Sequence, residues 1–179
     1  MKGLKLVTPT IEHKEAWIDI VTEIEAAGEK MTPLALKGDT DDFDTFLEGA
    51  LKNAQGIDLP MGRVRATVLF LIKEGEPKIL GAIDIRHDLN EYLLKVGGHI
   101  GYGIRPSERK KGYATVMLHL ALTYCKELGL ERVLITCDKT NIGSAKTMIK
   151  NGAMLENEIE HNGIVTQRYW INLRNEALS

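Results

Sequence analysis

The sequence predicts an α/β domain built on a mixed, mostly antiparallel sheet of about seven strands with helices on both faces. Three observations predict it. Strand-like and helix-like segments follow one another as strand, two helices, three strands, helix, strand, helix, two strands. A glycine-studded strand, Gly97 to Arg105, runs through a basic glycine loop into the main helix. The last two strand-like runs meet at Asn162-Gly163, a pair that favours a tight hairpin turn.

At 179 residues the chain can bury a full core, and residues 1–179 read as one domain. Hydrophobic residues make up 44%, charged residues 27% and the net charge is -2, which excludes disorder and a nucleic-acid binder driven by bulk charge. Any anion site must be local. Met1 to Lys5 opens no long apolar run, and no membrane span is expected anywhere. Cys125 and Cys137 fall on a helix and at a strand end, where they pack as small apolar side chains, and the expected location is the cytoplasm.

Taken in order, Lys5 to Thr8 reads as a first strand and Ile11 to Ala26 as a helix whose Trp17, Ile20, Val21 and Ile24 form a core stripe. Ala27 to Gly38 is polar and glycine-punctuated. Asp39-Thr40-Asp41-Asp42 then caps a helix carrying Phe43, Phe46, Leu47 and Leu51, or forms an acidic lip for a cationic acceptor. After the loop Ala54 to Gly62 come strands over Ala66 to Lys73 and Ile79 to Arg86, separated by the turn Glu74 to Pro77. Asp88 to Leu94 leads into the glycine strand, which Pro106 stops. Tyr113 to Leu128 has helical spacing and is mostly buried, with His119 on a narrow polar stripe facing water. Val133 to Cys137 is a buried strand, Ile142 to Asn151 a helix closed by Gly152, and Met154 to Glu160 with Ile164 to Leu173 the final hairpin.

The loop Arg109-Lys110-Lys111-Gly112-Tyr113-Ala114 stands between a strand and a helix N-terminus. The first turn of a helix offers unpaired N–H groups and the positive end of the macrodipole, together a site for phosphate. Gly112 admits close approach, the three basic residues add charge, and Thr115 adds a hydroxyl. A solvated basic turn is the plain alternative. The spacing is neither a P-loop nor a dinucleotide fingerprint, because no third glycine follows Gly101 and Gly103 at the needed distance.

The loop resembles the Arg/Gln-x-x-Gly-x-Gly/Ala signature of the GCN5-related N-acetyltransferase (GNAT) family, with Arg109, Gly112 and Ala114 at its fixed positions. Asn141, Ser144 and Gly152 extend the likeness downstream. The resemblance implies a sheet splayed at its central strands and acetyl-coenzyme A as co-substrate. Ile104, Arg109, Lys110, Lys111, Gly112, Tyr113, Ala114, Thr115, Asn141 and Ser144 would then bind the coenzyme, with pantetheine against the main chain near Tyr102 and Ile104. The four glycines of the central strand fit such a close approach, or a bulge that bends the sheet.

The implied reaction passes acetyl directly from the thioester to an amine, so no nucleophilic Ser or Cys is required. An amine of reference pKa about 8 to 10.4 must lose a proton first. His99, Asp84 and His87 are the candidate bases, His99 ranked first although strand alternation sets it opposite Tyr102. Many family members place a Tyr seven residues after the Asn; here that position is Met148, which leaves Tyr102 or solvent to protonate the thiolate. The expected catalytic pair is therefore His99 and Tyr102. No grouping has zinc-site spacing, so no metal is expected. The acceptor is expected to be a small-molecule or peptide amine, not nucleic acid or membrane, with a homodimer as the candidate assembly. A non-catalytic acyl-coenzyme A-binding module of the same fold is the alternative.

Overall fold

Every strand pairing in the computed structural model, which describes residues 2–174, is antiparallel, and the strands form two sheets rather than one mixed sheet. The first, in order β1-β2-β3-β4, contains β1 Leu4–Val7, β2 Ala66–Lys73, β3 Ile79–Arg86 and β4 Ile100–Ile104. The second, in order β5-β7-β6, contains β5 Arg132–Asp138, β6 Met154–His161 and β7 Ile164–Asn172. A single bridge, Gly98 to Ile135, links the sheets. Beyond it β4 and β5 part, which is the splay expected from the resemblance.

Alternation along the strands divides the core in two. Val68, Phe70 and Ala82 face α1 Lys14–Ala26 and α2 Phe43–Gln55, and pack on Trp17, Ile20, Phe43 and Phe46. Leu69, Ile83, Ile85 and Ile100 face α4 Tyr113–Glu127, on Met117, Leu118 and Ala121. The second core continues through Ile135 and Tyr169 into the three-stranded sheet, and α5 Ile142–Lys150 adds Ala145 and Met148. His119 is exposed and both cysteines are buried and free.

Two segments carry more structure than their sequences suggest. A 3-10 turn, Leu34–Leu36, interrupts the polar stretch after α1, and Leu36 is fully buried because its carbonyl accepts a bond from Trp17 Nε1 at 2.6 Å. Within the connection to β4, Asn90 Oδ1 accepts from Leu93 N and starts the short helix α3 Glu91–Lys95. Five residues are too few for helical periodicity to show.

Arg105, at the end of β4, is only 2% exposed. Its guanidinium donates to Glu23, Asp19 and the Ile79 carbonyl, and Glu23 also accepts from Ser107 N at 2.7 Å. A buried cation needs such pairing, since an unpartnered one costs several kcal/mol. The same contacts fasten the C-terminal half of α1 to the turn that leads into the basic loop.

Gly103 in β4 and Gly98 just before it are required by neighbours that are already present. A Cβ on Gly103 would lie 2.1 Å from the Thr32 carbonyl oxygen, and one on Gly98 2.4 Å from that of Leu134. Gly103→Ala is therefore expected to lower stability by about 1–3 kcal/mol, because backbone must move to admit the methyl. Gly49→Ala, in the interior of α2 with nothing within 4 Å, is expected to raise it by roughly 0.5–1 kcal/mol. Urea midpoints of the two variants against the parent check both signs.

Candidate active site

The basic loop forms a cradle of backbone rather than of side chains. Lys110 and Gly112 adopt positive φ values of 61 and 82°, and Gly112 caps α4 without any side-chain bond. The α4 ladder begins with Val116 N donating to Gly112 O, so the N–H groups of Tyr113, Ala114 and Thr115 lie ahead of it, in the first turn. Successive free N–H groups at a helix start form a concavity for anions. The basic side chains are partly engaged elsewhere. Arg109 pairs with Glu29 through both terminal nitrogens and donates from Nε to Ile104 O at 3.0 Å, while Lys111 pairs with Glu108. Lys110 has no ion-pair partner among the described residues.

The cradle opens onto the gap between the sheets. The partners Gly81–Ile104, Ala82–Gly103 and Asp84–Gly101 fix the register, and Arg105 N donates to Leu80 O in the same frame. Alternation then turns the N–H and C=O groups of Tyr102 and Ile104 away from β3, toward the gap. Asn141 caps α5 by accepting from Ser144 N at 3.0 Å, and the Ser144 hydroxyl lies 2.9 Å from Tyr102 OH. Tyr102, Ser144 and Asn141 are thus brought together across the opening. Burial pushes the Tyr102 pKa up, so its hydroxyl keeps its proton. Met148 is fully buried in the α4 core.

His99 occupies the closed end of the seam. Its N–H donates to Leu134 O at 2.7 Å and its Nδ1 accepts from Leu134 N at 3.0 Å, with Trp170 edge-on 6.4 Å away. The neutral ring's only lone pair is therefore engaged. Burial pushes its pKa down to about 4, the neighbouring arginines adding to the effect. No bulge swings the ring beside Tyr102. His87 lies on the α4 face, its Nε2 2.8 Å from the Thr67 hydroxyl, and burial also lowers its pKa.

Asp84 has the opposite environment. It lies on the α1/α2 face of β3, 6% exposed, directly across from Gly101. Its Oδ1 has no hydrogen-bond partner, and Oδ2 is 3.4 Å from Arg86 Nη2. Burial raises its pKa against the pull of Arg86 and Arg63. It lines a cavity of about 740 Å³ whose walls come from the 34–40 segment, α2, the start of β2 and the α3 region. The acidic segment before α2 mostly serves structure. Asp42 caps α2 through Thr45 N, while Glu25 and Asp41 pair with Lys37.

The model of the acetyltransferase (GNAT) domain matches residues 4–154. The chain belongs to the GNAT acetyltransferase family. Solved GNAT structures share its fold. The microcin C7 self-immunity acetyltransferase MccE, in complex with acetyl-CoA and AMP, is 20% identical with a TM-score of 0.70, over 96% of this chain and 93% of that one. A Salmonella typhimurium acetyltransferase that modifies the N-terminal serine of ribosomal protein L7/L12 is 19% identical with a TM-score of 0.68, over 96% of both chains. Mycobacterium smegmatis RimJ, in complex with CoA-disulfide, is 20% identical with a TM-score of 0.69, over 94% of this chain and 81% of that one. No curated protein matches by sequence.

As a GNAT enzyme the chain uses acetyl-CoA as its acetyl donor and transfers acetyl to an amine. Among the described residues no helix is long and apolar enough to cross a membrane, and no three His, Cys, Asp or Glu residues gather as metal ligands.

The cradle makes a direct prediction. Gly112→Asp puts a side chain at positive φ and a negative charge in the anion site, so the stabilisation that wild type gains from saturating acetyl-CoA in a thermal melt should disappear. His99 makes another. An unfolded His titrates near 6.5 and the folded one at about 4, so the unfolded state binds the extra proton between these values and stability falls as pH drops through that window. The loss is about 3 kcal/mol at roughly 1.4 kcal/mol per pH unit. In His99→Asn the total fall in stability between pH 6.5 and 4 should be smaller by that amount, read from urea unfolding.

Proposed function

We propose that this enzyme acetylates a primary amine held in the cavity beside β3, with Asp84 as proton acceptor and Tyr102 as proton donor. One observation carries the reading: a buried carboxylate on the cavity wall has an oxygen without a partner, two residues from the arginine that holds the entry to β4. An ammonium group reaching Asp84 finds both a counter-charge and a base whose raised pKa brings it toward neutrality. Gly101, across the ladder, presents no side chain between Asp84 and the edge of β4.

The thioester gives its acetyl group to the amine and leaves as a thiol. Around that exchange the chain supplies positions and protons. Backbone N–H groups of β4 that face the gap stabilise charge on the acetyl oxygen, as preorganised donors do. Tyr102, kept protonated by burial, offers its proton to the departing sulfur and is held in place by Ser144. His99 serves the seam. Its engaged lone pair and low pKa suit a structural role better than proton transfer. The buried free thiols Cys125 and Cys137 support a cytoplasmic setting.

Asp84→Asn separates this reading from others because stability and activity should move in opposite directions. A carboxyl whose folded pKa is raised binds more protons folded than unfolded above the normal range, so it costs stability as pH rises through that window. The variant should melt a few degrees higher at pH 7, since about 1 kcal/mol is worth roughly 2–4 °C in a chain of this size. Its kcat/KM should fall by about 10²–10⁴, the usual contribution of a positioned base, and lose its acid limb. Tyr102→Phe should lower kcat yet keep that limb. A profile whose acid limb persists in Asp84→Asn assigns the base elsewhere.

A further inference from the structure

The charges around the acceptor cavity are unevenly matched. Five charged side chains line it: Lys37, Asp39, Arg63, Asp84 and Arg86. Lys37 is held by Glu25 at 2.5 Å and Asp41 at 2.6 Å. Arg86 donates from Nη1 to the carbonyls of Gly97 at 3.1 Å and Gly98 at 3.0 Å, and turns Nη2 toward Asp84. Arg63 has neither a carboxylate nor a hydrogen-bond acceptor for its guanidinium among the described residues, though it lies near enough to Asp84 to favour the ionised carboxylate. The wall therefore presents a free cation close to a buried anion that lacks a partner on one oxygen.

A ligand that answers both must itself carry both signs. An amine alone would satisfy Asp84 and leave Arg63 facing the like charge of the ammonium group. An acid alone would leave Asp84 Oδ1 without a partner. We propose that the acceptor is a small zwitterionic amine, with a carboxylate or phosphate close to its amino group: Asp84 takes the amine and Arg63 the acid. The identification rests on the acetyl-transfer reading only in naming this ligand the acceptor. A cavity of about 740 Å³ has the size of a small-molecule site. Asp39, the other unpaired charge on the wall, belongs to the segment before α2, and a preference for diamines would follow if it outweighed Arg63.

The test uses matched amines on the full chain: free amino acids, the corresponding amino acid amides, phosphoethanolamine and 1,3-diaminopropane. Thiol release with acetyl-CoA gives kcat/KM, and calorimetry with the coenzyme A-loaded protein gives Kd. Within matched pairs the free acid should exceed the amide by about tenfold or more, the scale of a charge-assisted hydrogen bond. Arg63→Ala should bring that ratio close to one, and Arg63→Lys should restore part of it. Preference for phosphoethanolamine over the amino acids would identify phosphate as the acid group. Amides or the diamine preferred over acids, a ratio that survives Arg63→Ala, or no binding by any acid would overturn the proposal. Acid-selective, Arg63-dependent binding without thiol release would instead overturn the assignment of this cavity to the transfer reaction and leave the ligand class standing.

Discussion

The parting of β4 from β5 is the constraint on which the rest of the molecule depends. Two sheets meet at one bridge, Gly98 to Ile135, and His99 closes that end by bonding to both the N–H and the carbonyl of Leu134. A continuous ladder would satisfy the backbone of β4 and leave nothing for a ligand. Because the strands diverge, the groups of Tyr102 and Ile104 face an opening, and a substrate with amide groups can take the place of a neighbouring strand. Unpaired strand edges invite unwanted pairing, and here the edge is set inside the fold, between α4, α5 and the first sheet.

Ion pairs tie the β4 side of this opening to α1 and the residues just past it. Arg105 joins β4 to Glu23 and Asp19 on α1, and Arg109 joins the basic loop to Glu29 just past the end of that helix. The segment that follows Glu29 lays the Thr32 carbonyl on Gly103 and then supplies part of the cavity wall. The basic loop and the cavity-wall segment are therefore both anchored at the C-terminal end of α1. Arg109 holds both Glu29 and the Ile104 carbonyl, while the N–H groups at the start of α4 stay free.

Two buried titratable groups within sixteen residues illustrate how environment assigns a role. Burial lowers the pKa of His99 and raises that of Asp84, in each case disfavouring the charged form. The imidazole is neutral and hydrogen-bonded at neutral pH, so its burial costs little there. The carboxyl retains an oxygen with no partner, which is rare among buried polar groups in folded proteins.

Much of this was determined by the sequence alone, because the governing physics is local. The bounds of β2 and β3 follow from apolar runs between turn residues, and the α4 cradle from a basic loop with glycine ahead of a helical stripe. The fixed positions Arg109, Gly112 and Ala114 carry the family. Tertiary structure decided what depends on residues distant in the chain. The role of His99 turns on Leu134 and that of Gly103 and Gly98 on Thr32 and Leu134. The engagement of Arg109 turns on Glu29, and the division of one expected sheet into two antiparallel ones on where β4 leaves β5. Asp84 is a candidate base in the sequence, ranked behind His99, because a polar residue on a half-wet strand would look the same. Its unpartnered oxygen, and the free guanidinium of Arg63 nearby, exist only once the loops before and after α2 have folded over β3, because desolvation and missing partners are properties of surroundings that no local pattern encodes.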